Sequence, residues 1–323
     1  MYALIPLVIG IIIGSIVTYL ILQRIEQKKI IKLNKIIQQY QIETQENRSN
    51  NQTKITVIGE DTKNPTLVKN KNRIETITVD STEIQNFLKS KDIQIKFIPP
   101  EQKLDEVLGS IAFFMGERYN LIKNFYSRIK SNMNYGNSFK INLKNYTQEE
   151  ISSICQLGKM LHDIAFLEEY KYQKSPKYIL YARPNRIPKA LNFFSGQWLE
   201  YFIKEQVIRL IESINPQIQY SYLLNPQIIL PDGNDFELDV LFKIKDEIFW
   251  FEAKTGDYQR YIEKYSKMSS ILGLDGEHSY MILTEVQENL TKALSTIFHM
   301  KVVKAEKLAE YLQPYFEKCI LLP

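Results

Sequence analysis

Two short stretches in the last third of the chain hold residues able to cut a phosphodiester: Phe236-Glu237-Leu238-Asp239-Val240 and, after a brief apolar run, Phe251-Glu252-Ala253-Lys254-Thr255-Gly256. Hydrolysis needs a water in line with the leaving oxygen, and positive charge against the charge that builds on phosphorus. A carboxylate-bound Mg²⁺ (or Mn²⁺) supplies both. Asp239 and Glu252 are the expected metal ligands. Lys254 carries a compact charge on a flexible stem and is the expected activator, orienting the attacking water or contacting the phosphate.

Strand geometry decides whether these residues can meet. Residues 236–244 alternate polar and apolar, 248–253 form a second apolar run, and Lys245-Asp246 reads as the turn between them. With those two residues at the tip, Ile244 opposes Glu247, and counting back along the ladder Asp239 opposes Glu252, so the two carboxylates share a face. Alternation adds Glu237 and Lys254 to that face and turns Val240, Phe242, Phe249, Phe251 and Ala253 toward a core. A solvated hairpin would alternate in the same way, but Leu241 and Trp250 interrupt the polar face.

A further acid lies upstream. Ser195 reads as the N-cap of an amphipathic helix running to Ser213, with Trp198, Leu199, Phe202, Ile203 and Leu210 as its buried stripe. Glu200, at the margin of that stripe, is placed to reach a metal at the sheet edge. The helix dipole alone would also favour an acid in this first turn.

The order helix Glu, strand Asp, strand Glu-x-Lys, helix resembles the PD-(D/E)XK superfamily of restriction-endonuclease-like nucleases. The stretches Gly196-Gln197-Trp198-Leu199-Glu200, Phe236–Val240 and Phe251–Gly256 are most similar to the nuclease domain of CRISPR-associated effectors activated by cyclic oligonucleotides. The resemblance covers residues 191–312. It implies a mixed sheet flanked by helices, with Asp239, Glu252 and Lys254 as catalytic residues and Glu200 as an auxiliary metal ligand or water-orienting group. It also implies nucleic acid as substrate, DNA ahead of RNA. The chain departs from these relatives in carrying Ala253 where they often have Cys. It also shows no nucleotide-sensing domain at its N-terminus, so activation by a ring nucleotide does not carry over.

The rest of residues 191–323 fits an α/β domain. Tyr258, Tyr261, Tyr265, Met268 and Leu272 recur at helical spacing as a packing stripe, with Arg260, Lys264 and Lys267 as a second, basic stripe open to phosphate or to solvent. Residues 279–284 and 300–303 read as strands, 288–298 and 305–318 as helices. This segment is acidic, 13 Lys and Arg against 19 Asp and Glu, so its net charge is −6 and the first 190 residues carry +10 of the chain's +4. Affinity for phosphate must therefore come largely from elsewhere. Residues 170–189 are the best source: Lys171, Lys174, Lys177, Arg183, Arg186 and Lys189 occur there without an acid, interleaved with Tyr170, Tyr172, Tyr178 and Tyr181. Bases could stack on such tyrosines while the cations track a backbone; a solvated connector with ordinary tyrosine packing reads equally well.

The opposite end of the chain predicts location. Residues 2–22 lack charge and supply about 20 apolar residues, enough to span the roughly 30 Å of a bilayer core. No basic start precedes this run and no small-residue cleavage site follows it, which favours an anchor over a signal peptide. Arg24, Lys28, Lys29, Lys32 and Lys35 on its far side place the remainder in the cytoplasm. Residues 1–23 are thus the expected transmembrane anchor, 24–43 a basic juxtamembrane helix offering a surface for homodimer pairing, and 44–73 a polar flexible linker. Residues 74–190 form a helix-rich α/β middle region, with a strand at 93–98, helices at 104–131 and 148–169, and the basic connector. His162 reads as a packed histidine, and three histidines at these spacings make no zinc site. Cys155 and Cys319 suit a reducing compartment.

These readings converge on a membrane-anchored, Mg²⁺-dependent nuclease. Two alternatives stay open at this level. One is a catalytically inactive nuclease-fold protein that binds nucleic acid, and the other is a membrane scaffold module whose basic connector meets lipid or protein.

Overall fold

The computed structural model describes residues 81–321. The expected anchor, juxtamembrane helix and linker lie outside the described residues. Among the described residues no helix is long and apolar enough to cross a membrane.

In chain order the elements are helix α1 (Thr82–Ser90), strand β1 (Gln94–Phe97), helices α2 (Lys103–Glu117) and α3 (Tyr119–Asn132), strand β2 (Phe139–Asn142) and helix α4 (Gln148–Asp163). Strands β3 (Leu167–Gln173) and β4 (Ile179–Pro184), helix α5 (Pro188–Asn192), a π-helical turn (Phe193–Gln197) and helix α6 (Trp198–Ile214) follow. Next come β5 (Tyr220–Leu224), β6 (Gln227–Ile229), β7 (Asp235–Glu237), β8 (Val240–Ile244) and β9 (Glu247–Lys254). Helix α7 (Ile262–Leu272), β10 (Ser279–Leu283), helix α8 (Glu288–Phe298), β11 (Lys301–Lys304), a 3-10 turn (Ala305–Lys307) and helix α9 (Leu308–Leu321) complete the chain.

The central sheet has five strands in the order β11-β10-β9-β8-β5. Strands β9, β10 and β11 run parallel, and β8 is antiparallel to both its neighbours. Nearly continuous apolar runs in β8, β9 and β10 are what a sheet covered on both faces demands. On one face Val240, Phe242, Phe249, Phe251, Tyr280 and Ile282 pack with Val207 of α6 and Leu312 and Phe316 of α9. On the other, Leu241, Trp250, Met281 and Val302 pack with Leu88 of α1 and Tyr265, Met268 and Leu272 of α7. The first cluster also takes in Met115 of α2, Phe125 and Ile129 of α3 and Leu157 of α4. The core therefore continues across residue 190, where the sequence suggested a boundary. The mixed α/β class and the flanked mixed sheet match expectation.

Several expected elements differ. The single helix expected over 104–131 is two helices broken at Arg118. Gly116 sits just before the break because α6 comes so close that a Cβ there would lie 2.1 Å from the Phe202 ring, and glycine weakens a helix interior. The helix expected to reach Glu169 ends at Asp163, and His162 on it is exposed rather than packed. Residues 170–189, expected as a connector, form the β3–β4 hairpin, which with β2 makes a separate three-stranded sheet. Ser195 is no N-cap: its hydroxyl donates to Asn192 O within the π-helical turn, and the regular helix begins at Trp198. Helix α7 starts at Ile262, leaving Tyr261 exposed.

Candidate active site

The β8–β9 ladder pairs Ile244 with Glu247, Phe242 with Phe249 and Val240 with Phe251, the register expected from the sequence. One more step back places Asp239 across from Glu252. The strand expected over 236–244 is, however, interrupted there: β7 leaves to pair with β6 in another sheet, and Leu238 and Asp239 form the bend between β7 and β8. This break frees the Asp239 carboxylate from regular strand geometry. Its Oδ2 accepts the Ala253 N–H at 2.7 Å and lies 3.5 Å from Lys254 Nζ. Glu237, expected on the same face, is exposed on β7, where its carboxylate accepts from Gln227 at 3.4 Å.

Lys254 closes β9. Its Nζ donates to Glu252 Oε1 at 2.5 Å and to Ala253 O at 3.0 Å, and lies 4.8 Å from the centre of the Tyr265 ring. Asp239 is 6 % and Glu252 1 % exposed. Burial pushes the Glu252 carboxyl well above the usual carboxylate range and the Asp239 charge adds to it, against the pull of Lys254. Burial also raises Asp239, outweighing Lys254 and the Ala253 N–H. For Lys254 burial works the other way, yet the charges of Glu252 and Asp239 overcome it and hold the ammonium well above the ordinary lysine value.

Glu200 approaches from α6. Its Oε2 accepts from Asn225 Nδ2 at 2.9 Å, and burial together with the Asp239 charge pushes its carboxyl up to about 8. Asn225, in the left-handed region at φ 54°, also donates its own N–H to Asp239 O at 2.9 Å, so one residue fixes both acids. Sequence reasoning missed it, although Asn225-Pro226 is a turn signal beside the motif. It missed Tyr265 as well, by assigning it to packing alone.

Three buried polar atoms at this end of the sheet lack hydrogen-bond partners: Glu252 Oε2, Asn225 Oδ1 and Thr284 Oγ1. Thr284 directly follows β10 and its N–H donates to Lys254 O at 3.3 Å. Such orphans are rare and costly in folded proteins. Glu252 and Thr284 lie at the carboxyl ends of the adjacent parallel strands β9 and β10, where open α/β sheets place their ligand crevices, and Asn225 follows the end of β5. Among the described residues no three His, Cys, Asp or Glu side chains are gathered closely enough to hold a metal ion. Asp239 and Glu252 still fit Mg²⁺ by donor chemistry. That ion takes one or two carboxylates and keeps waters for its other positions, and Glu252 Oε2 is a buried carboxyl oxygen without a hydrogen-bond partner.

The expected nucleic-acid contacts fall on two sides of the central sheet. Arg260, Lys264 and Lys267 are exposed on or beside α7; Arg260 pairs with Asp257 at 3.4 Å, and Lys264 Nζ lies 4.5 Å from the Phe236 ring centre. The other six lie on the far side, on or after the β3–β4 hairpin. Lys171, Lys174, Lys177 and Arg186 are exposed. Arg183 is engaged by Gly136 O at 3.0 Å and by Glu168 and Glu169, each at 3.5 Å, while Lys189 is held by Asp105 and Tyr201, each at 3.3 Å. Of the interleaved tyrosines, Tyr170, Tyr172 and Tyr178 pack against the core, and only Tyr181 is open for stacking.

No family model matches the chain and no curated protein matches it in sequence. Among solved structures, protein VC1899 from Vibrio cholerae is similar at a TM-score of 0.50 and 16 % identity, over 74 % of this chain and 61 % of that one. Can2 from Sulfobacillus thermosulfidooxidans, solved in complex with cyclic tetra-adenylate, is similar at a TM-score of 0.49 and 14 % identity, over 72 % of this chain and 60 % of that one. The chain thus spans about three-fifths of the length of the structures it matches. At these identities the likeness is one of fold. The coverage of 74 % exceeds what residues 191–323 alone could provide, so it takes in part of the segment before them.

Proposed function

We propose that this chain is a metal-dependent nuclease that hydrolyses phosphodiester bonds in nucleic acid, DNA ahead of RNA, and is held at a membrane by residues 1–23 with its remaining residues in the cytoplasm. The observation that carries the reading is a buried carboxylate pair, Asp239 and Glu252, sharing one lysine at the carboxyl end of β9, with Glu252 Oε2 unpartnered.

Asp239 and Glu252 would hold Mg²⁺ or Mn²⁺, with Glu200 close by. The ion, when bound, lowers the pKa of a coordinated water and offsets charge on the phosphoryl oxygens. The remaining chemistry belongs to the chain. Asn225 and the Ala253 N–H fix where the carboxylates point. Lys254, paired with Asp239 and Glu252, is placed as a cation against the phosphate and as a donor that orients the attacking water. A carboxyl with a raised pKa, such as Glu200, is suited to exchange a proton near neutrality.

The test is incubation of the full-length chain with single- and double-stranded DNA and RNA in Mg²⁺ or Mn²⁺. Cleavage that is lost in both Asp239→Ala and Lys254→Ala supports the enzyme. Binding without cleavage by the wild-type chain would replace it with a non-catalytic nucleic-acid-binding module.

A further inference from the structure

Helix α3 reaches the same end of the sheet from the side opposite α7. Its Lys130 is half-buried, and Nζ donates to Thr255 Oγ1 at 3.1 Å, one residue beyond Lys254. Thr255 in turn donates to Ser195 O at 3.1 Å, so the lysine is seated where the end of β9 meets the π-helical turn before α6. The Tyr126 ring centre lies 5.9 Å from the ammonium. Among the described residues no carboxylate forms an ion pair with it, and burial draws its pKa below the ordinary lysine value with no acid to hold it up.

Among the described residues most other lysines withdrawn from solvent are paired with an acid, Lys91 beside the Phe87 ring being an exception. Lys189, Lys204, Lys243 and Lys254 are also wholly or partly buried, and each has a carboxylate within 3.5 Å. A half-buried cation that touches only a hydroxyl and a ring carries a desolvation cost that an incoming anion would offset. Beyond Lys130 the chain turns at Gly136, and there the Arg186 stem lies so close that its Cδ is 3.0 Å from where a Cβ would stand. Lys130 thus contacts the residue after Lys254, and exposed Arg186 lies against Gly136, six residues past Lys130.

We propose that Lys130 binds a backbone phosphate of the nucleic-acid strand next to the one being cut, the strand continuing over the end of α3 toward Arg186; this rests on the nuclease reading above. It gives the segment before residue 190 a direct part in the site, and it supplies from outside the positive charge that the acidic segment 191–323 lacks.

The full-length chain carrying Asp239→Asn to block cutting can be titrated with labelled 20-nucleotide single-stranded DNA, single-stranded RNA and duplex DNA at several salt concentrations. Each phosphate contact contributes about 0.7–0.9 to the slope of log affinity against log salt concentration. Lys130→Ala should flatten that slope by this amount and weaken binding several-fold, and Lys130→Arg should restore both. In the cutting-competent chain Lys130→Ala should raise KM more than it lowers kcat. An unchanged slope in Lys130→Ala, or equal loss in Lys130→Ala and Lys130→Arg together with a lowered Tm, would overturn the proposal while leaving cleavage by the wild-type chain intact. A wild-type chain that neither cuts nor binds any of these oligonucleotides overturns this proposal and the nuclease reading together.

Discussion

The two ends of strand β9 carry similar side chains in opposite physical states. At the amino end Glu247 Oε2 accepts from the Tyr315 hydroxyl at 3.0 Å and lies 3.1 Å from His278 Nε2, while His278 Nδ1 lies 2.6 Å from Asp275 Oδ1. The acids there reach solvent, 38 % and 68 % exposed at the side chain, and each has a partner. At the carboxyl end Asp239 and Glu252 are buried, share one lysine, and leave a carboxylate oxygen unpaired. Acids, a base and a tyrosine are present at both ends. What separates a structural cap from a candidate site is whether the fold has completed the hydrogen bonding itself. Stability is given up at one end of the strand and kept at the other, which is the pattern expected where function is built on a scaffold.

The strongest way to break this contrast is kinetic. Asp239→Ala and Lys254→Ala should each reduce Mg²⁺-dependent cleavage of a labelled oligonucleotide by roughly 10²-fold or more, the scale on which positioned catalytic groups act. His278→Ala should leave the initial rate within about twofold. Comparable losses at both ends would erase the distinction. The next effect concerns stability. Burial already favours the neutral form of Glu252, so Glu252→Gln should abolish cleavage while raising unfolding stability in chelator at pH 8 by about 1–2 kcal/mol, the order of a relieved desolvation penalty. A clear fall in Tm under those conditions would mean that the Glu252–Lys254 pair stabilises the fold on balance.

A smaller, pH-dependent effect follows from Glu200. Its carboxyl titrates at about 8 when folded, against 4.5 for an ordinary glutamate, so between those values the folded chain holds a proton that the unfolded chain has released. Its contribution to stability is therefore fully present below about pH 4.5 and is lost as pH rises through 8. Chemical denaturation in chelator should show stability falling across that window, with a shallower fall in Glu200→Gln. Asp239 and Glu252, also raised, slope the same way, so Glu200→Gln flattens the profile only in part. Identical profiles for the two chains would show that Glu200 is not the group titrating there.

Much of the site was legible because a hairpin's register follows from its turn. Lys245 and Asp246 at the tip were enough to set Asp239 against Glu252. The break at Leu238 was not legible, because Phe236 and Val240 keep the same alternation on either side of it, and only the departure of β7 to a second sheet interrupts the strand. The basic connector was misread for a related reason. Tyr170-Lys171-Tyr172 alternates with a period of two, which is a strand signature, while the same residue types also suit a nucleic-acid contact. Lys130 could not have been found from its neighbours in sequence. It becomes notable only once Thr255, 125 positions away, stands beside it and, among the described residues, no carboxylate does.

The finest test lies at the amino end of β9. If the cluster there is purely structural, Tyr315→Phe removes one hydrogen bond to a half-exposed carboxylate that keeps His278 as a second partner. The aromatic body, packed edge-on against Phe249 and His278, stays in place. The loss should then be about 0.5–1.5 kcal/mol, the net worth of an ordinary hydrogen bond, with cleavage unchanged. An intact Tm accompanied by altered cleavage would reverse the comparison, because it would make the satisfied cluster the one coupled to activity. The burial pattern argues against that reversal: the Tyr315 hydroxyl and Lys254 stand at opposite ends of an eight-residue strand, about 25 Å in extended length, and Phe249, Phe251 and Trp250 are buried between them.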